Sequence, residues 1–514
     1  SSLGAGDDIG GYFGLGTAGS ITSVTVTWPS GTVQTETGIG INQRSLIVED
    51  ATPPGGGLFT DVSTAAGVSA THDGDLFPVV GDPRKGTGAA WFDYDLDGDM
   101  DLYTTMRTQA NFLWSNNGDG TFTNMAAAAG VEDASHDGGG VVVADIDNDG
   151  DKDLFLANGD EDVLYRNNGD GTFTDITAGS GIDALLEHRA SSASFGDFDN
   201  DGFVDLYIAN HTAVAGASFD GINGQDYIFH NNGDGTFTDV SDMLMGVDRE
   251  GRSFVGGFTD FDKDGDLDVF KVNDCPTSST DPTEFFRNDG GTDGATDWTF
   301  TEVSASIGAD WCQQGMGLAM GDFDRDQDTD LYFTDNGNTS PTSANVRAGG
   351  VFLRNDLTTY TEITDATMTD NDQITWGANF FDYDLDGWLD LYVASGGMQD
   401  LQTEMNSYLY QNNGDGTFAD VSTSSGGLDT HERTRTSAFA DYDADGDPDM
   451  FIVNYEGQMQ LFRNDNANFN NWAIIDLQGV TSNRDGIGAK IEVLTSDGVT
   501  QYHEVRSGSS LGAG

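Results

Sequence analysis

An aspartate-rich loop of nine residues recurs seven times along this chain of 514 residues, and it constrains the fold more than any other feature. The loops follow the pattern D-x-D-x-D-G-x-x-D, with one departure in the fifth copy. Their first residues are Asp93, Asp145, Asp197, Asp260, Asp322, Asp382 and Asp441, which lie 52, 52, 63, 62, 60 and 59 residues apart. Such a period indicates one supersecondary unit repeated side by side, because each unit buries its apolar face only against its neighbours.

Each repeat has the pattern of four short strands. In the second copy, an alternating apolar run at 140–144 precedes the loop, another strand follows at 154–157, and two more flank the sequence NNGDG at 167–171. Asn-Gly and Asp-Gly between apolar runs favour hairpins, because such turns need positive φ angles. Four short antiparallel strands form one propeller blade. We therefore predict an all-β fold whose main body is a seven-bladed β-propeller over residues 58–467.

The last repeat lacks its fourth strand, since residues 466–471 contain no clear apolar run. At the other end, residues 58–63 resemble the fourth strand at 236–241 but have no preceding strands of their own. We expect residues 58–63 to pair with the last blade. This pairing would close the ring and remove an exposed sheet edge.

The loops predict calcium sites. Ca²⁺ is a hard cation that takes about six to eight oxygen ligands, and alternating aspartates in a tightly curled loop direct carboxylates at one point. Glycine at position 6 permits the sharp turn, position 7 offers its backbone carbonyl, and the aspartate at position 9 closes the shell. Mg²⁺ is disfavoured, because it prefers a water-rich octahedral shell. Without a cation, so many close carboxylates would repel one another.

We therefore expect about seven Ca²⁺ ions, one in each loop. The predicted ligands are Asp93, Asp95, Asp97, Asp99 and Asp101; Asp145, Asp147, Asp149, Asp151 and Asp153; Asp197, Asp199, Asp201, Phe203 and Asp205; Asp260, Asp262, Asp264, Asp266 and Asp268; Asp322, Asp324, Asp326, Asp328 and Asp330; Asp382, Asp384, Asp386, Trp388 and Asp390; and Asp441, Asp443, Asp445, Asp447 and Asp449. The fifth loop has Gln327 at position 6, where a glutamine must adopt a strained positive φ or a different turn. We expect that site to be weaker.

The charge of the chain excludes two classes of partner. It has 87 acidic and 21 basic residues, for a net charge of −66, which would repel nucleic acids and anionic membranes. Seven Ca²⁺ ions would add +14 and leave −52, so a saline setting is expected. No run of 18 or more apolar residues is present, so we expect no membrane insertion.

The segments GDFDNDGFVDLYIAN at 196–210 and NNGDGTFTDVS at 231–241 resemble the FG-GAP/VCBS repeats of integrin-α-like propellers. The resemblance covers roughly residues 58–467. It implies a seven-bladed propeller with Ca²⁺ in the hairpin between the first two strands of each blade.

The two ends resemble the ASPIC/UnbV module of the cartilage acidic protein family, split and in reverse order. The first half resembles NWAIIDL at 471–477 and NRDGIGAK at 483–490, and the second half resembles YFGLG at 12–16 and VTWPSG at 26–31. We predict the second half of this small β module at 1–50, a linker at 51–57 and the first half at 468–514.

The string SSLGAG occurs at both ends of the chain, at 1–6 and 509–514. We expect the C-terminal half-module of one unit to complete the N-terminal half-module of the next, in a head-to-tail filament or tandem array. Two alternatives stay open. One is a circularly permuted monomer whose halves pair within one chain, and the other is an artefact of the chain boundaries.

The only cysteines are Cys275 and Cys312, which we expect to form a disulfide between adjacent blades, consistent with secretion. No set of residues converges on acid–base or nucleophilic catalysis, so the chain is expected not to be an enzyme. The leading interpretation is an extracellular, calcium-binding structural protein. The alternative is a secreted monomeric propeller that binds an unidentified surface ligand or mediates adhesion.

Overall fold

Each repeat folds around its aspartate-rich loop, which forms the turn between the first two strands of an antiparallel four-stranded sheet. The computed structural model describes residues 24–27, 33–36, 58–73, 87–184, 189–211, 225–244, 253–275, 282–291, 297–335, 349–369, 371, 373–397, 405–428, 432–465, 470–496 and 498–508. The chain divides into two units, Ser1–Gly56 and Gly57–Gly514. In the first unit, β1 (Val24–Thr27) and β2 (Val33–Glu36) form an antiparallel hairpin.

The second unit begins with β3 (Phe59–Asp61) and continues through the sheets of the repeats. The first blade contains β4 (Ala89–Phe92), β5 (Asp101–Thr104), β6 (Phe112–Asn116) and β7 (Phe122–Asn124). The second contains β8 (Gly140–Ala144), β9 (Asp153–Ala157), β10 (Val163–Asn167) and β11 (Phe173–Asp175). The third contains β12 (Ala190–Gly196), β13 (Asp205–Asn210), β14 (Tyr227–Asn231) and β15 (Phe237–Asp239).

The remaining blades repeat the same order. The fourth contains β16 (Ser253–Thr259), β17 (Asp268–Asn273), β18 (Glu284–Asn288) and β19 (Phe300–Glu302). The fifth contains β20 (Leu318–Gly321), β21 (Asp330–Phe333), β22 (Val351–Asn355) and β23 (Tyr360–Glu362). The sixth contains β24 (Thr375–Phe381), β25 (Asp390–Ser395), β26 (Tyr408–Asn412) and β27 (Phe418–Asp420). The seventh contains β28 (Thr434–Ala440), β29 (Asp449–Asn454), β30 (Gln460–Asn464) and β3.

The ring closes as the sequence predicts. Strand β3 pairs antiparallel with β30, and Phe59 lies opposite Asn464. Phe59 is buried and packs with residues of the sixth and seventh blades. The seven sheets and this closure confirm the all-β, seven-bladed propeller. The hydrophobic core lies between neighbouring blades: Tyr103 and Leu113 of the first blade pack with Leu154 and Tyr165 of the second.

Short helical turns follow several outer strands. The α-helical turns are α1 (Ser63–Ala66), α2 (Ala126–Ala129), α3 (Ser304–Ile307) and α4 (Thr364–Thr367), and the 3₁₀ turns are Ile182–Ala184 and Ser241–Met243. Among the described residues, no helix is long and apolar enough to cross a membrane.

Two further features join distant parts of the second unit. Cys275, just after β17, and Cys312, before β20, form a disulfide that ties the fourth blade to the fifth. After the last blade, β31 (Lys490–Leu494) and β32 (Thr500–Glu504) form a hairpin. Ile487, which precedes this hairpin, is buried with Ala144 and Phe195 in the core between the second and third blades. The C-terminal segment therefore packs on the propeller itself.

Candidate metal centres

The aspartate at position 1 shapes each loop by accepting backbone hydrogen bonds. In the first loop, Asp93 Oδ1 accepts from the Asp97 N–H at 3.1 Å and Oδ2 accepts from the Gly98 N–H at 3.0 Å. The bond from the position-6 N–H recurs in all seven loops. The position-5 aspartate in turn accepts the N–H of position 7, as Asp97 does from Asp99. These bonds curl the loop so that its carboxylates lie close together.

The curl requires left-handed backbone at two positions. Gly98 at position 6 has a φ of 95°, which explains the glycine. Gln327, at the same position in the fifth loop, has a φ of 74°, and its N–H still bonds to Asp322 Oδ2. Gln327 therefore adopts the left-handed conformation, and the fifth loop keeps the same turn as the other loops. This conformation and a different turn are the two alternatives that the sequence allows. Its weaker occupancy stays a prediction.

Position 4 is also left-handed in every loop, a conformation that no motif in the sequence predicts. The residues there have φ values of 55–62° and are Leu96, Asn148, Asn200, Lys263, Arg325, Leu385 and Ala444. Only two of them are asparagine, the residue type that tolerates this conformation best after glycine. The tight curl of the loop therefore holds these residues in a left-handed backbone conformation that most side chains disfavour.

Carboxylates of at least four loops lie close together. In the first, second and fourth loops, carboxylate oxygens from positions 1, 3 and 9 lie within 4.8 Å of one another. In the third loop, the same holds for positions 1, 3 and 5. The position-7 side chains instead lie against the Asn-Gly turn: a Cβ on Gly118 would stand 2.8 Å from Asp99 Oδ2, and one on Gly233 would stand 2.7 Å from the Phe203 ring. The sequence predicts that position 7 contacts the metal ion through its backbone carbonyl oxygen. This contact stays a prediction.

The position-9 aspartates are buried, and burial raises the pKa of each one. The pKa rises to about 7 at Asp101, about 8 at Asp153 and Asp205, and about 9 at Asp268 and Asp449; at Asp330 and Asp390 it also rises well above the ordinary value. Desolvation is the largest cause, and the charges of neighbouring loop aspartates add to it. A divalent cation would reverse both effects by compensating the buried charge.

Orphaned oxygen atoms allow a test of whether these residues fit a metal ion. Asp197 Oδ1, Asp199 Oδ2 and Asp324 Oδ1 are buried and accept no hydrogen bond among the described residues. Buried carboxylate oxygens without partners are costly. The donors in most loops are oxygen atoms alone, which is the set that Ca²⁺ prefers. The loops therefore fit calcium.

The position-9 aspartate is also the anchor of its blade. In the second blade, Asp153 Oδ2 accepts the Ile146 N–H at 2.9 Å, and Oδ1 accepts the Asn167 N–H at 2.8 Å. The same two bonds occur in all seven blades. One carboxylate thus fixes both the start of the loop and the end of the third strand.

The asparagine that ends each third strand links neighbouring loops. Asn167 Nδ2 donates to the carbonyl of Tyr94, at position 2 of the first loop, at 2.9 Å. The equivalent bonds in the other blades are Asn116 to Tyr442, Asn231 to Ile146, Asn288 to Phe198, Asn355 to Phe261, Asn412 to Phe323 and Asn464 to Tyr383. Each bond runs to the preceding blade, and the first returns to the seventh. A closed circuit of hydrogen bonds therefore connects all seven loops.

Comparison with protein families agrees with this architecture. The model of the FG-GAP-like repeat matches residues 93–156, 145–208, 213–271 and 382–452. The model named ASPIC and UnbV matches residues 8–54 and 479–513. The chain is thus a seven-bladed β-propeller that contains FG-GAP-like repeats, and matches to ASPIC and UnbV lie near both of its ends. The fifth loop, which contains Gln327, lies outside the matched ranges.

Curated relatives of this FG-GAP propeller include cartilage acidic protein 1 from three vertebrates. The identity is 29% over 217 residues with the Xenopus tropicalis protein, 31% over 197 residues with the human protein and 32% over 197 residues with the mouse protein. These matches cover 41%, 37% and 37% of this chain and 31%, 28% and 29% of the relatives. The chain thus spans less than a third of the length of each relative.

Solved structures give weaker similarity. A structure of an Agrocybe aegerita lectin that recognises non-reducing terminal N-acetylglucosamine has 16% identity and a TM-score of 0.42, covering 72% of this chain and 86% of the lectin. BBS1N in complex with ARL6DN, soaked with lead, has 10% identity and a TM-score of 0.45, covering 77% and 97%. The fold assignment therefore rests on the sheets of this chain.

The C-terminal segment of the FG-GAP propeller contacts the position-1 aspartates of three loops. Asp485 Oδ2 accepts the Asp145 N–H at 2.8 Å, and Asn483 Nδ2 lies 3.4 Å from Asp197 Oδ2. Lys490 forms an ion pair with Asp260. Sequence reasoning missed these residues, because their partners lie more than 200 positions away and no spacing connects them. The segment therefore contacts the second, third and fourth aspartate-rich loops.

We expect Asn167→Ala to destabilise the propeller by about 1–3 kcal/mol, because it leaves the carbonyls of Tyr94 and Lys152 without this buried donor. Asn168→Ala is the matched control, since Asn168 belongs to the same turn but is exposed. It should change the free energy of unfolding by less than about 0.5 kcal/mol. Urea denaturation in excess Ca²⁺ measures both variants. Equal effects would contradict the role of the circuit.

We expect the metal-stripped protein to lose stability as the pH rises from about 4 to about 9. The position-9 carboxyls have raised pKa values in the folded state, so the folded state binds more protons than the unfolded state over this range, and stability falls with pH. A single carboxyl whose pKa rises from 3.8 to about 7 accounts for about 4 kcal/mol. Unfolding free energies measured across this range in excess chelator provide the test. A flat or rising profile would contradict it.

Proposed function

We propose that this FG-GAP propeller is an extracellular, calcium-binding structural protein in which each aspartate-rich loop holds one Ca²⁺ ion. The observation that carries the proposal is the convergence of carboxylates in equivalent loops, where burial raises the pKa of every position-9 aspartate. In each loop, the aspartates at positions 1, 3, 5 and 9 would hold the ion. When bound, the ion supplies positive charge that offsets both the desolvation and the mutual repulsion of these groups.

Three observations support an extracellular setting. The disulfide between Cys275 and Cys312 is typical of oxidising compartments. The net charge of −66 is tolerated best where salt screens it. The relatives bear the name cartilage acidic protein 1. We also propose that the protein is not an enzyme, since each position-9 carboxylate already accepts two backbone hydrogen bonds and thus has an architectural role.

We further propose that units assemble head to tail through the split module. The C-terminal segment carries a strip of exposed apolar side chains, which we name the apolar strip: Trp472, Ile474, Ile475, Leu477, Val480 and Leu494. Val480 is 91% exposed and Ile474 is 63% exposed. Six exposed apolar side chains within one short segment of the chain favour an interaction surface.

The proposed occupant of the apolar strip is the N-terminal half-module, residues 1–50, of a second copy. The ASPIC and UnbV model matches residues 8–54 and residues 479–513, which supports the proposal that each end of the chain carries part of one module. A half-module that lacks its complement exposes the face the complement would cover. Because the two joined surfaces differ, this contact is heterologous and generates an open filament unless the ring closes.

Removal of calcium is expected to lower the melting temperature by more than about 10 °C, because seven sites bind the folded chain in preference to the unfolded one. Asp153→Asn should reduce this chelator-dependent shift by removing one charged ligand. Asp170→Asn makes the same change on an exposed turn of the same blade and should leave the shift intact. Calorimetry with and without excess EDTA measures all three proteins. A melting temperature that EDTA leaves unchanged would refute calcium binding.

The assembly proposal predicts oligomers that grow with protein concentration in light scattering. Val480→Asp should abolish them, because it puts a charge into the apolar strip. Leu357→Asp is the control, since Leu357 is 61% exposed but lies in the fifth blade, outside the strip. A monodisperse wild-type monomer would refute assembly and favour pairing of the two halves within one chain.

A further inference from the structure

The third loop differs from the other six in having an imidazole beside its carboxylates. His230 lies in β14, immediately before the asparagine that ends the third strand, and its side chain is 12% exposed. His230 Nδ1 stands 3.3 Å from Asp199 Oδ2 and 3.3 Å from Asp205 Oδ1, at positions 3 and 9 of the loop. The residues at the equivalent place in the other blades are Ser115, Arg166, Arg287, Arg354, Gln411 and Arg463. None of these offers a neutral ring nitrogen to a metal ion.

The carboxylate atoms that face the histidine are buried, and they form an ion pair with it only when the imidazole is protonated. The Asp199 side chain is fully buried, and its Oδ2 accepts no hydrogen bond among the described residues. His230 Nδ1 likewise makes no hydrogen bond of acceptable geometry within the described part of the chain. A metal ion bound to the neutral ring nitrogen would give these buried atoms a shared partner in place of that ion pair.

The third loop also frees an oxygen that the other loops use. In those six loops, Oδ1 of the position-1 aspartate accepts the N–H of position 5. In the third loop, the Asp201 N–H donates to Asp199 Oδ1 instead. Asp197 Oδ1 is therefore left buried without a hydrogen-bond partner among the described residues. Asp197 also belongs to a group with Asp199 and Asp201 whose carboxylate oxygens lie within 4.8 Å of one another, so it is a further candidate ligand of this loop.

The types of ligand atom in a site indicate which class of metal ion it prefers. Calcium takes oxygen ligands and gains little from an imidazole, whereas first-row transition ions bind imidazole together with carboxylates. Zinc binds nitrogen and oxygen at about 2.0–2.2 Å, which places ligand atoms that share one ion roughly 3.0–3.5 Å apart. Both distances from His230 Nδ1 fall within that range.

We propose that the third loop binds a divalent transition-metal ion of the zinc class, with His230 Nδ1, Asp199 Oδ2 and Asp205 Oδ1 as ligands. The proposal rests on the proposed function, in which every loop holds a divalent cation, and it changes the class of ion in one loop. The competing role for His230 is that of a protonated partner to Asp199, comparable to the arginines of other blades. In that role the ring nitrogen is not available to a metal.

The sixth blade provides a matched variant. Gln411 occupies the place of His230 there, and its Nε2 donates to Asp384 Oδ2 at 2.7 Å. His230→Gln therefore gives the third loop a side chain that another blade of the same protein already accommodates. The reciprocal variant, Gln411→His, places an imidazole beside the carboxylates of the sixth loop.

The test uses the full chain, stripped of metal and dialysed against excess Ca²⁺ with a small amount of Zn²⁺, followed by elemental analysis. We expect one Zn²⁺ per chain in the wild type, none in His230→Gln and up to two in Gln411→His. Co²⁺ in place of Zn²⁺ should give visible d–d absorption in the wild type, which His230→Gln abolishes.

Equal Zn²⁺ content in wild type and His230→Gln, including none in both, would overturn the proposal. If those proteins still bind calcium in the other loops, the proposed function survives that failure. If they bind neither ion, both proposals fail. Should His230→Gln not fold, an unchanged Zn²⁺ content in Gln411→His together with no bound Zn²⁺ in the wild type would overturn the inference.

Discussion

The rest of the structure depends on one buried carboxylate in each blade, the aspartate at position 9 of the metal loop. It accepts one backbone hydrogen bond from the start of its own loop and another from the end of the third strand, so it holds the blade together. It is also the group whose ionised form burial disfavours most, as the raised pKa values of Asp268 and Asp449 indicate. The carboxylate must be buried to hold the blade together, yet burial disfavours its ionised form. A cation in the loop would stabilise the ionised form without removing the carboxylate from its buried position.

The asparagine circuit extends this local arrangement around the ring. The backbone N–H of each asparagine donates a hydrogen bond to the position-9 aspartate of its own blade. Its side-chain amide donates a second hydrogen bond to a carbonyl in the loop of the preceding blade. Two hydrogen bonds therefore connect each loop with a neighbouring loop. The C-terminal segment adds a second connection, since Asp485, Asn483 and Lys490 contact the position-1 aspartates of three consecutive blades. Packing of this segment and the electrostatics of those loops are thus linked.

Sequence periodicity predicted the features that repeat. The seven blades, the loop between the first two strands and the closure by residues 58–63 all follow from motifs that recur at a regular spacing. Features that depend on tertiary packing were not predicted. The left-handed residues at position 4 have no common side-chain type, and the contacts of Asp485 and Lys490 join segments hundreds of residues apart. Alignment of the seven repeats does distinguish His230, because the other blades have serine, arginine or glutamine at the equivalent place.

The number of calcium ions bound per chain tests the central claim most directly. Equilibrium dialysis of the metal-stripped protein against Ca²⁺ as the sole divalent cation, followed by elemental analysis, gives this number. Seven aspartate-rich loops that share one hydrogen-bonding pattern lead the proposal to predict about seven Ca²⁺ per chain, or six if the Gln327 loop stays empty. A value of one or none would contradict the account, because the buried carboxylates would then have to be compensated in another way.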